Sequence, residues 1–266
     1  MDALEQKYDR LCMILRSFGS AAIAFSGGVD STFLLAAAHQ VLGGRVIAVS
    51  VDSAFIPRSE IKDASVFCSA HGIRQINISA DVLNHPDICR NPANRCYFCK
   101  KMLFQAIQEI ANHEHLTVAA EGSNADDLND YRPGIQALKE LGIQSPLCGA
   151  ALTKQEIRSL SHSMHLPTWD KPSAACLASR IPYGDPITAD KLHMAEQSEA
   201  YLHQLGFRQA RVRIHGCIAR IEVLPADFEH ILQHRTDISE KFRSIGFQYT
   251  ALDLIGYRTG SLNELL

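Results

Sequence analysis

The sequence predicts an α/β fold: a parallel sheet with helices on both faces, followed by a smaller α+β domain. Three observations carry this. The first half alternates short apolar runs with helical patterns at the spacing of strand–helix–strand units. A stretch of about 22 residues, 166–187, then holds Pro167, Pro172, Pro182, Pro186 and Gly184 and follows neither a helical nor a strand period. Beyond it the order changes to helix, strand, strand, helix, strand.

In the first half, 21–25 (AAIAF) is a buried strand and 32–42 a helix. Residues 46–51 (VIAVSV) form the second strand. A helix over 59–71 stops at Gly72, and 73–78 is the third strand. A helix over 99–112 places Leu103, Ile107 and Ile110 on one face, and 116–120 is the fourth strand. Thr153-Lys154-Gln155-Glu156 is a capping box opening a short helix to about residue 164. After the proline-rich stretch, 188–205 is helical, and 209–214 with 218–224 forms a hairpin around His215-Gly216. An amphipathic helix over 226–244 turns Phe228, Ile231, Leu232, Ile238 and Phe242 inward, and 247–254 is the last strand. The expected division is therefore 1–165, a connecting loop 166–187, and 188–266.

Composition narrows the function classes. The 266 residues suit about two domains of ~150 residues each. With 46% hydrophobic and 21% charged residues, the chain is neither disordered nor fibrous. A net charge of −3 gives no broad grip on nucleic acid. No uncharged apolar run approaches the ~18 residues of a membrane span, and the N-terminus (MDALEQKYDRLCMILRSF) lacks a signal-peptide layout. The expectation is a cytoplasmic protein with no membrane and no nucleic-acid partner. Eight cysteines in such a chain point to buried thiols, metal ligands or catalytic thiols rather than disulfides.

The strongest motif is Ser26-Gly27-Gly28-Val29-Asp30-Ser31-Thr32, directly after the first strand and opening a helix. Two glycines allow close backbone approach, hydroxyls add donors, and the helix start favours an anion. Asp30 opposes phosphate by itself and fits when a divalent cation bridges the two. SGGVDS resembles the PP-loop of the ATP pyrophosphatases, which cleave ATP to AMP and pyrophosphate and adenylate a substrate oxygen. It is not a Walker A loop, because the lysine is missing. Two further segments match that superfamily's layout. One is Ser50-Val51-Asp52-Ser53, which ends the second strand. The other is Glu121-Gly122-Ser123-Asn124-Ala125-Asp126-Asp127 with Tyr131-Arg132-Pro133-Gly134, after the fourth. The resemblance implies ATP binding by the 26–32 loop, Asp52, Ser53, Gly122, Asn124, Asp126 and Asp127, with Mg²⁺ held by Asp30.

Cys96-Tyr97-Phe98-Cys99 is a lone CxxC. On a helix start its thiols sit one turn apart and can reach one metal, but need a third ligand. Trp169-Asp170-Lys171-Pro172-Ser173-Ala174-Ala175-Cys176-Leu177-Ala178-Ser179-Arg180-Ile181-Pro182-Tyr183-Gly184 offers one, with Lys171 and Arg180 near Cys176. Together with SGGVDS, this segment resembles the LarE family across essentially the whole chain, including RVRIHGCIARIE and ALDLIGYRTGSLNELL.

That resemblance implies an ATP-dependent sulfurtransferase of nickel-pincer nucleotide cofactor synthesis. Its substrate is a pyridinium carboxylate mononucleotide, which is adenylated and then converted to a thiocarboxylate. Two sulfur sources occur in the family. In one, the cysteine matching Cys176 gives up its own sulfur. In the other, three cysteines hold a [4Fe–4S] cluster, and the CxxC makes Cys96, Cys99 and Cys176 the implied ligands. A homo-oligomer is also implied. Cys12, Cys68, Cys89, Cys148 and Cys217 are expected to be core or bystander residues.

Arg211 and Arg213 share one face of the hairpin's first strand, and Arg220 and Glu222 one face of the return strand. The resemblance makes the first two phosphate ligands of the substrate, with Ser179 and Arg180 near its carboxylate. Glu199 lies on an apolar helical stripe with Leu192, Ala195 and Leu202, so it needs a partner: a structural ion pair or a group of the active-site mouth. The rival readings are a tRNA-thiolating ATP pyrophosphatase, an amide-forming synthetase of the NAD or GMP type, and an adenine-nucleotide sensor without turnover.

Overall fold

A computed structural model describes residues 3–129, 133–172 and 175–258. In chain order the elements are α1 (Ala3–Phe18), β1 (Ala21–Ala24), α2 (Val29–Leu42), β2 (Val46–Ser53), α3 (Arg58–Ala70), β3 (Gln75–Ala80), α4 (Pro86–Cys89), α5 (Arg95–His113) and β4 (Val118–Ala120). There follow α6 (Pro133–Glu140), α7 (Pro146–Gly149), α8 (Lys154–Ser163), α9 (Ala189–Gln204), β5 (Ala210–His215), β6 (Ile218–Val223), α10 (Phe228–Gln233), α11 (Arg235–Ile245) and β7 (Tyr249–Leu252). The chain divides into two compact units, Met1–Ala80 with Cys96–Ala174, and Asp81–Arg95 with Ala175–Leu266. Tyr131, Arg132, Ser173 and Ala174 of the motifs above lie outside the described residues, as does the end of the chain from Thr259.

The first unit carries the expected parallel sheet, in the order β3-β2-β1-β4. β1, β4 and most of β2 are nearly continuous apolar runs because both faces are covered, while edge strand β3 (QINISA) is only partly buried. On one side Ala21, Ile23, Val46 and Ala48 pack with Phe33, Leu34 and Leu147. On the other, Ala22, Ile47 and Val49 pack with Phe104, Ile107 and Leu138. Connections run from β1 outward to β2 and β3, and β4 returns to the opposite side of β1. The order of strands therefore reverses at β1, and the loop leaving β1 opens into the crevice where such sheets bind ligands. That loop is 26–28.

The capping box of α8 is present. Thr153 Oγ1 accepts from Glu156 N at 3.3 Å, and Glu156 Oε2 accepts from Thr153 N at 2.9 Å. Lys7 adds an ion pair to the same carboxylate at 2.7 Å. Thr153→Ala is expected to cost about 1 kcal/mol, read as a lower urea midpoint. An unchanged midpoint would show that the cap contributes nothing.

The second unit has a three-stranded sheet in the order β5-β6-β7, with β5 and β6 antiparallel and β7 parallel to β6. The register sets Arg211 opposite Glu222 and Arg213 opposite Arg220. Helix α9 buries Leu192, Ala195 and Leu202, and Glu199 lies buried in the same stripe. The segment Asp81–Arg95 joins this unit through Ile187 N to Cys89 O at 2.8 Å and Gly184 N to Asn91 O at 2.9 Å.

Several element limits differ from those expected. The helix expected over 226–244 is broken at His234, whose φ and ψ are −94° and 10°, between α10 and α11. The break puts Asp237 in a new first turn, where amide ends favour a carboxylate. Leu232 is exposed and Phe228 only half-buried, while Ile231, Ile238 and Phe242 remain buried. Helix α2 starts at Val29 rather than 32 and α5 at Arg95 rather than 99; β7 is shorter than 247–254. Helix α1, not anticipated among the N-terminal charges, buries Leu11, Cys12 and Leu15 on one face. Among the described residues no helix is long and apolar enough to cross a membrane.

Candidate active site

The 26–32 loop is shaped by its glycines. Gly27 has φ +72°, and a side chain there would press on Glu60 O and Ala64 Cβ of α3. Gly28 is the residue before α2 and no side chain caps it, so the helix start presents its amides uncovered. Ser26 Oγ lies 3.1 Å from Ser31 Oγ, and Ser31 Oγ donates to Gly28 O at 3.2 Å. Gly122, after β4, lies against this turn: a Cβ on it would come within 3.0 Å of Ser31 N. Val29 and Thr32 are buried beneath the loop.

Asp30 is the electrostatic centre of the loop. Its Oδ2 accepts from Lys154 Nζ at 2.6 Å. Its Oδ1 is buried with no hydrogen-bond partner, and so is the hydroxyl of Thr32. Buried polar atoms are normally satisfied, so the open Asp30 Oδ1 beside the start of α2 is a place a bound ligand can use. Burial raises the Asp30 pKa, Lys154 pulls it back, and Asp127 adds to the rise. A divalent cation fits the open Asp30 Oδ1, with the Asp127 carboxylate close enough to be felt.

The acidic loop is ordered by its own side chains. Asp127 Oδ2 accepts from Asn124 N at 3.0 Å and Asn124 Oδ1 from Asp126 N at 2.9 Å. Asp126 Oδ2 accepts from Lys154 N at 2.8 Å, so one residue anchors both acidic elements. Glu121 accepts from Ser123 Oγ at 2.8 Å and Ser145 Oγ at 2.5 Å. Cys148 donates to the carbonyls of Ser123 and Asn124. Burial, then Glu121 and Asp127, pushes its thiol up to about 11, so it is a structural thiol. At the end of β2, Ser53 is buried with Oγ accepting from Phe55 N, and Asp52 pairs with Arg58 at 2.5 Å near the surface.

Two lysines emerge here: Lys154, which sequence reasoning saw only in a cap, and Lys171, which it noted only beside Cys176. The Lys154 ammonium reaches Asp30 across 124 residues of sequence. Lys171 Nζ donates to Gly27 O at 3.2 Å and Glu60 Oε2 at 2.7 Å. Arg158 fixes the backbone around it through the carbonyls of Trp169 and Lys171, each at 2.7 Å.

Cys96 and Cys99 lie in the first turns of α5, half-buried and one turn apart, in the first unit. Cys176 is exposed in the second unit. All eight cysteines are thiols, and Cys12 and Cys68 are in the core. Among the described residues no three His, Cys, Asp or Glu side chains converge as a metal-ligand group. The donor chemistry of Cys96 and Cys99, one turn apart on α5, suits iron.

In the second unit Glu199 finds its partner in Arg180. Nε and Nη2 of Arg180 donate to the two carboxylate oxygens, each at 2.8 Å, and Val212 N adds a third bond at 2.9 Å. Burial works to raise the Glu199 pKa, and Arg180 overcomes it, leaving the carboxylate below its usual range. Arg180 Nη1 donates to Ala175 O, Cys176 O and Ser179 Oγ. Arg213 donates to Ser179 O at 2.6 Å and to Glu222 at 2.9 Å, and Glu222 also accepts from Arg220. Arg95 donates to Ala178 O at 3.3 Å, and Asn91 Nδ2 to the carbonyls of Ile181 and Pro182 at 3.2 and 2.7 Å. Arg211 lies beside this group, its guanidinium 5.6 Å from the Tyr257 ring centre. Burial, then Arg180, lowers its pKa, the mark of a cation in a positive, desolvated place.

No protein-family model matches the sequence. An uncharacterised protein of Synechocystis sp. is 40% identical over 265 residues, 99% of each chain. The pyridinium-3,5-bisthiocarboxylic acid mononucleotide synthase of Lactiplantibacillus plantarum is 34% identical over 267 residues, covering 100% of this chain and 97% of that protein. The chain belongs to the LarE family. A glutamine-hydrolysing GMP synthase chain of Thermoplasma acidophilum is 29% identical over 196 residues, 68% of this chain and 62% of that one. That more distant likeness agrees with the LarE family's place among the PP-loop ATP pyrophosphatases. This LarE-family chain is thus an enzyme of the ATP-pyrophosphatase type, and its parallel sheet with a smaller C-terminal mixed sheet agrees with the expected fold.

Proposed function

We propose that this chain adenylates the carboxylate of a pyridinium mononucleotide with ATP and replaces an oxygen of that carboxylate by sulfur. The observation that carries the reading is the unpartnered buried oxygen of Asp30, next to the uncapped start of α2. The name of the Lactiplantibacillus relative supports the substrate class.

One oxygen of the substrate carboxylate attacks the α-phosphorus of ATP. The bond to the bridging oxygen breaks, and pyrophosphate leaves with the electron pair. The amides at the start of α2, the hydroxyls of Ser26 and Ser31, and the ammonium of Lys154 stabilise the departing charge. Asp30 would hold Mg²⁺, which supplies further neutralisation of the phosphates when bound. Asp52, Ser53, Gly122, Asn124, Asp126 and Asp127 shape the remainder of the nucleotide site. A sulfur nucleophile then attacks the activated acyl carbon, and AMP leaves with the C–O electron pair. Activation is needed because carboxylate oxygen leaves poorly and AMP leaves well. The substrate phosphate is assigned to Arg211, whose positive surroundings an anion would relieve.

Two sulfur sources are supported by different observations. The i, i+3 spacing of Cys96 and Cys99 supports a [4Fe–4S] cluster completed by Cys176; when bound, it would supply an exchangeable sulfide. The exposure of Cys176 supports its own thiolate as the donor. In that case Sγ forms a thioester as AMP leaves. A base then takes the Cα proton, the Cβ–Sγ bond breaks, and dehydroalanine remains at position 176.

Pyrophosphate release from ATP is the deciding measurement, with the carboxylated pyridine mononucleotide and with tRNA offered separately. The mononucleotide alone is expected to stimulate it. Stimulation by tRNA but not by the mononucleotide would overturn the reading. Protein purified without oxygen and assayed for iron and sulfide, with intact mass after one turnover, separates the sources: mass loss of one H₂S sinks the cluster.

A further inference from the structure

The residues 175–182 are a short segment around one 3-10 turn, Leu177–Arg180, yet their main-chain carbonyls are taken up largely by buried side chains of the same unit. Loop carbonyls usually bond to water or to their own turn. Here the donors are Arg180, Arg213, Arg95 and Asn91. Arg180 is 2% exposed and Glu222 0%. Asn91 is itself held at φ +58°, a backbone state costly for most residues and tolerated by asparagine.

Two of these arginines are each locked by a buried glutamate: Arg180 by Glu199 and Arg213 by Glu222. Buried ion pairs of this kind add little net stability, because desolvating both charges offsets their attraction. What they do provide is a fixed direction. Arg180 is gripped on two edges by Glu199, so its remaining Nη1 can point only at the Ala175 and Cys176 carbonyls. Arg213 is likewise held at Nη2 while Nη1 bonds Ser179 O. The Cys176 thiol stands exposed at one end of a segment whose backbone is immobilised from behind.

We propose that the pairs Arg180–Glu199 and Arg213–Glu222, with Asn91 and Arg95, are a positioning scaffold that presents Cys176 for sulfur delivery. Arg180 and Glu199 act through the cysteine's backbone rather than on substrate. The scaffold serves either sulfur source, since Cys176 is the donor in one and a ligand in the other. Its use in sulfur transfer rests on the function proposed above; its existence as a clamp does not.

Two measurements keep these apart. The first is hydrogen exchange at the amides of Ser179 and Ile181, which bond to the carbonyls of Cys176 and Ala178. Arg180→Lys keeps the charge but loses the planar fork, and Glu222→Gln removes the lock on Arg213. Each is expected to speed exchange at these amides at least tenfold while amides within β5 and β6 keep their protection. Exchange unchanged in both variants would refute the clamp. Loss of protection across the whole unit in Arg180→Lys alone leaves Glu222→Gln to decide.

The second measurement is thiocarboxylate formed per pyrophosphate released, in a single turnover with ATP and the mononucleotide. The ratio is expected to drop at least tenfold in both variants. A proportional fall of both products, leaving the ratio unchanged, would place Arg180 on the substrate and overturn the positioning role. Should wild-type protein release no pyrophosphate with the mononucleotide, the proposed function fails, and hydrogen exchange still decides whether the clamp exists.

Discussion

Asp30→Asn is expected to reduce mononucleotide-dependent pyrophosphate release by about 100-fold or more, the scale seen when one preorganised electrostatic group is removed from a transition state. The substitution keeps the shape of the side chain and its place under the loop. It removes the charge that Lys154 contacts at 2.6 Å and replaces one carboxylate oxygen by an amide. The unpartnered Oδ1 is the atom offered to a bound cation, and the amide can replace it with nitrogen. Glu140→Gln is the internal comparison. Its pair with Lys101 is exposed, and such pairs contribute roughly 0–1 kcal/mol to stability. A thermal melt confirms that Asp30→Asn is folded. Release within tenfold of wild type, in a folded variant, would remove Asp30 from the reaction.

Cys176→Ala is expected to abolish thiocarboxylate formation. The substitution removes a single sulfur from an exposed position and leaves the carbonyl that Arg180 holds untouched. Cys96→Ala and Cys99→Ala separate the two sulfur sources. If Cys176 gives up its own sulfur, both variants still make product, and wild-type protein loses sulfur from its mass. If a cluster supplies it, both lose product, and each of the three substitutions lowers iron content in protein purified without oxygen. Product formation by Cys176→Ala would show that neither route passes through this residue.

The parallel sheet and the nucleotide loop were legible in the sequence because their signals are local. Apolar strands alternating with amphipathic helices identify covered sheets wherever they occur, and Gly27 is needed by its own backbone angle. The cap of α8 was legible for the same reason, since Thr153 and Glu156 are three residues apart. The break at His234 was not. The apolar spacing of Ile231, Ile238 and Phe242 continues across it, so a periodic pattern cannot show that the helix restarts. Helix α1 was hidden by its charges, although Leu11 and Leu15 are spaced to bury one face.

At the candidate site, the sequence singled out Asp30, Cys176, Glu199 and the hairpin arginines without fixing their partners. It showed that Glu199 needed a cation but not that the cation is Arg180. It showed that Arg211 and Arg213 share a face but not that Arg213 is committed to Glu222 and the Ser179 carbonyl. Lys154 had no signal beyond its cap. Asn91 had none at all, since nothing local distinguishes it from an ordinary loop asparagine.

By itself, then, the sequence determined the fold class from residue type and short-range spacing, and its resemblance named the family; the 26–32 loop and Cys96, Cys99 and Cys176 stood out in it as candidates. Only the tertiary structure decided which charges meet. Lys154 closes on Asp30 across the first unit, and the segment Asp81–Arg95 joins the second unit to hold the Cys176 turn. Ion pairs and side-chain-to-carbonyl bonds act over a few ångströms, whatever the distance along the chain, so their partners exist only once the backbone has been folded.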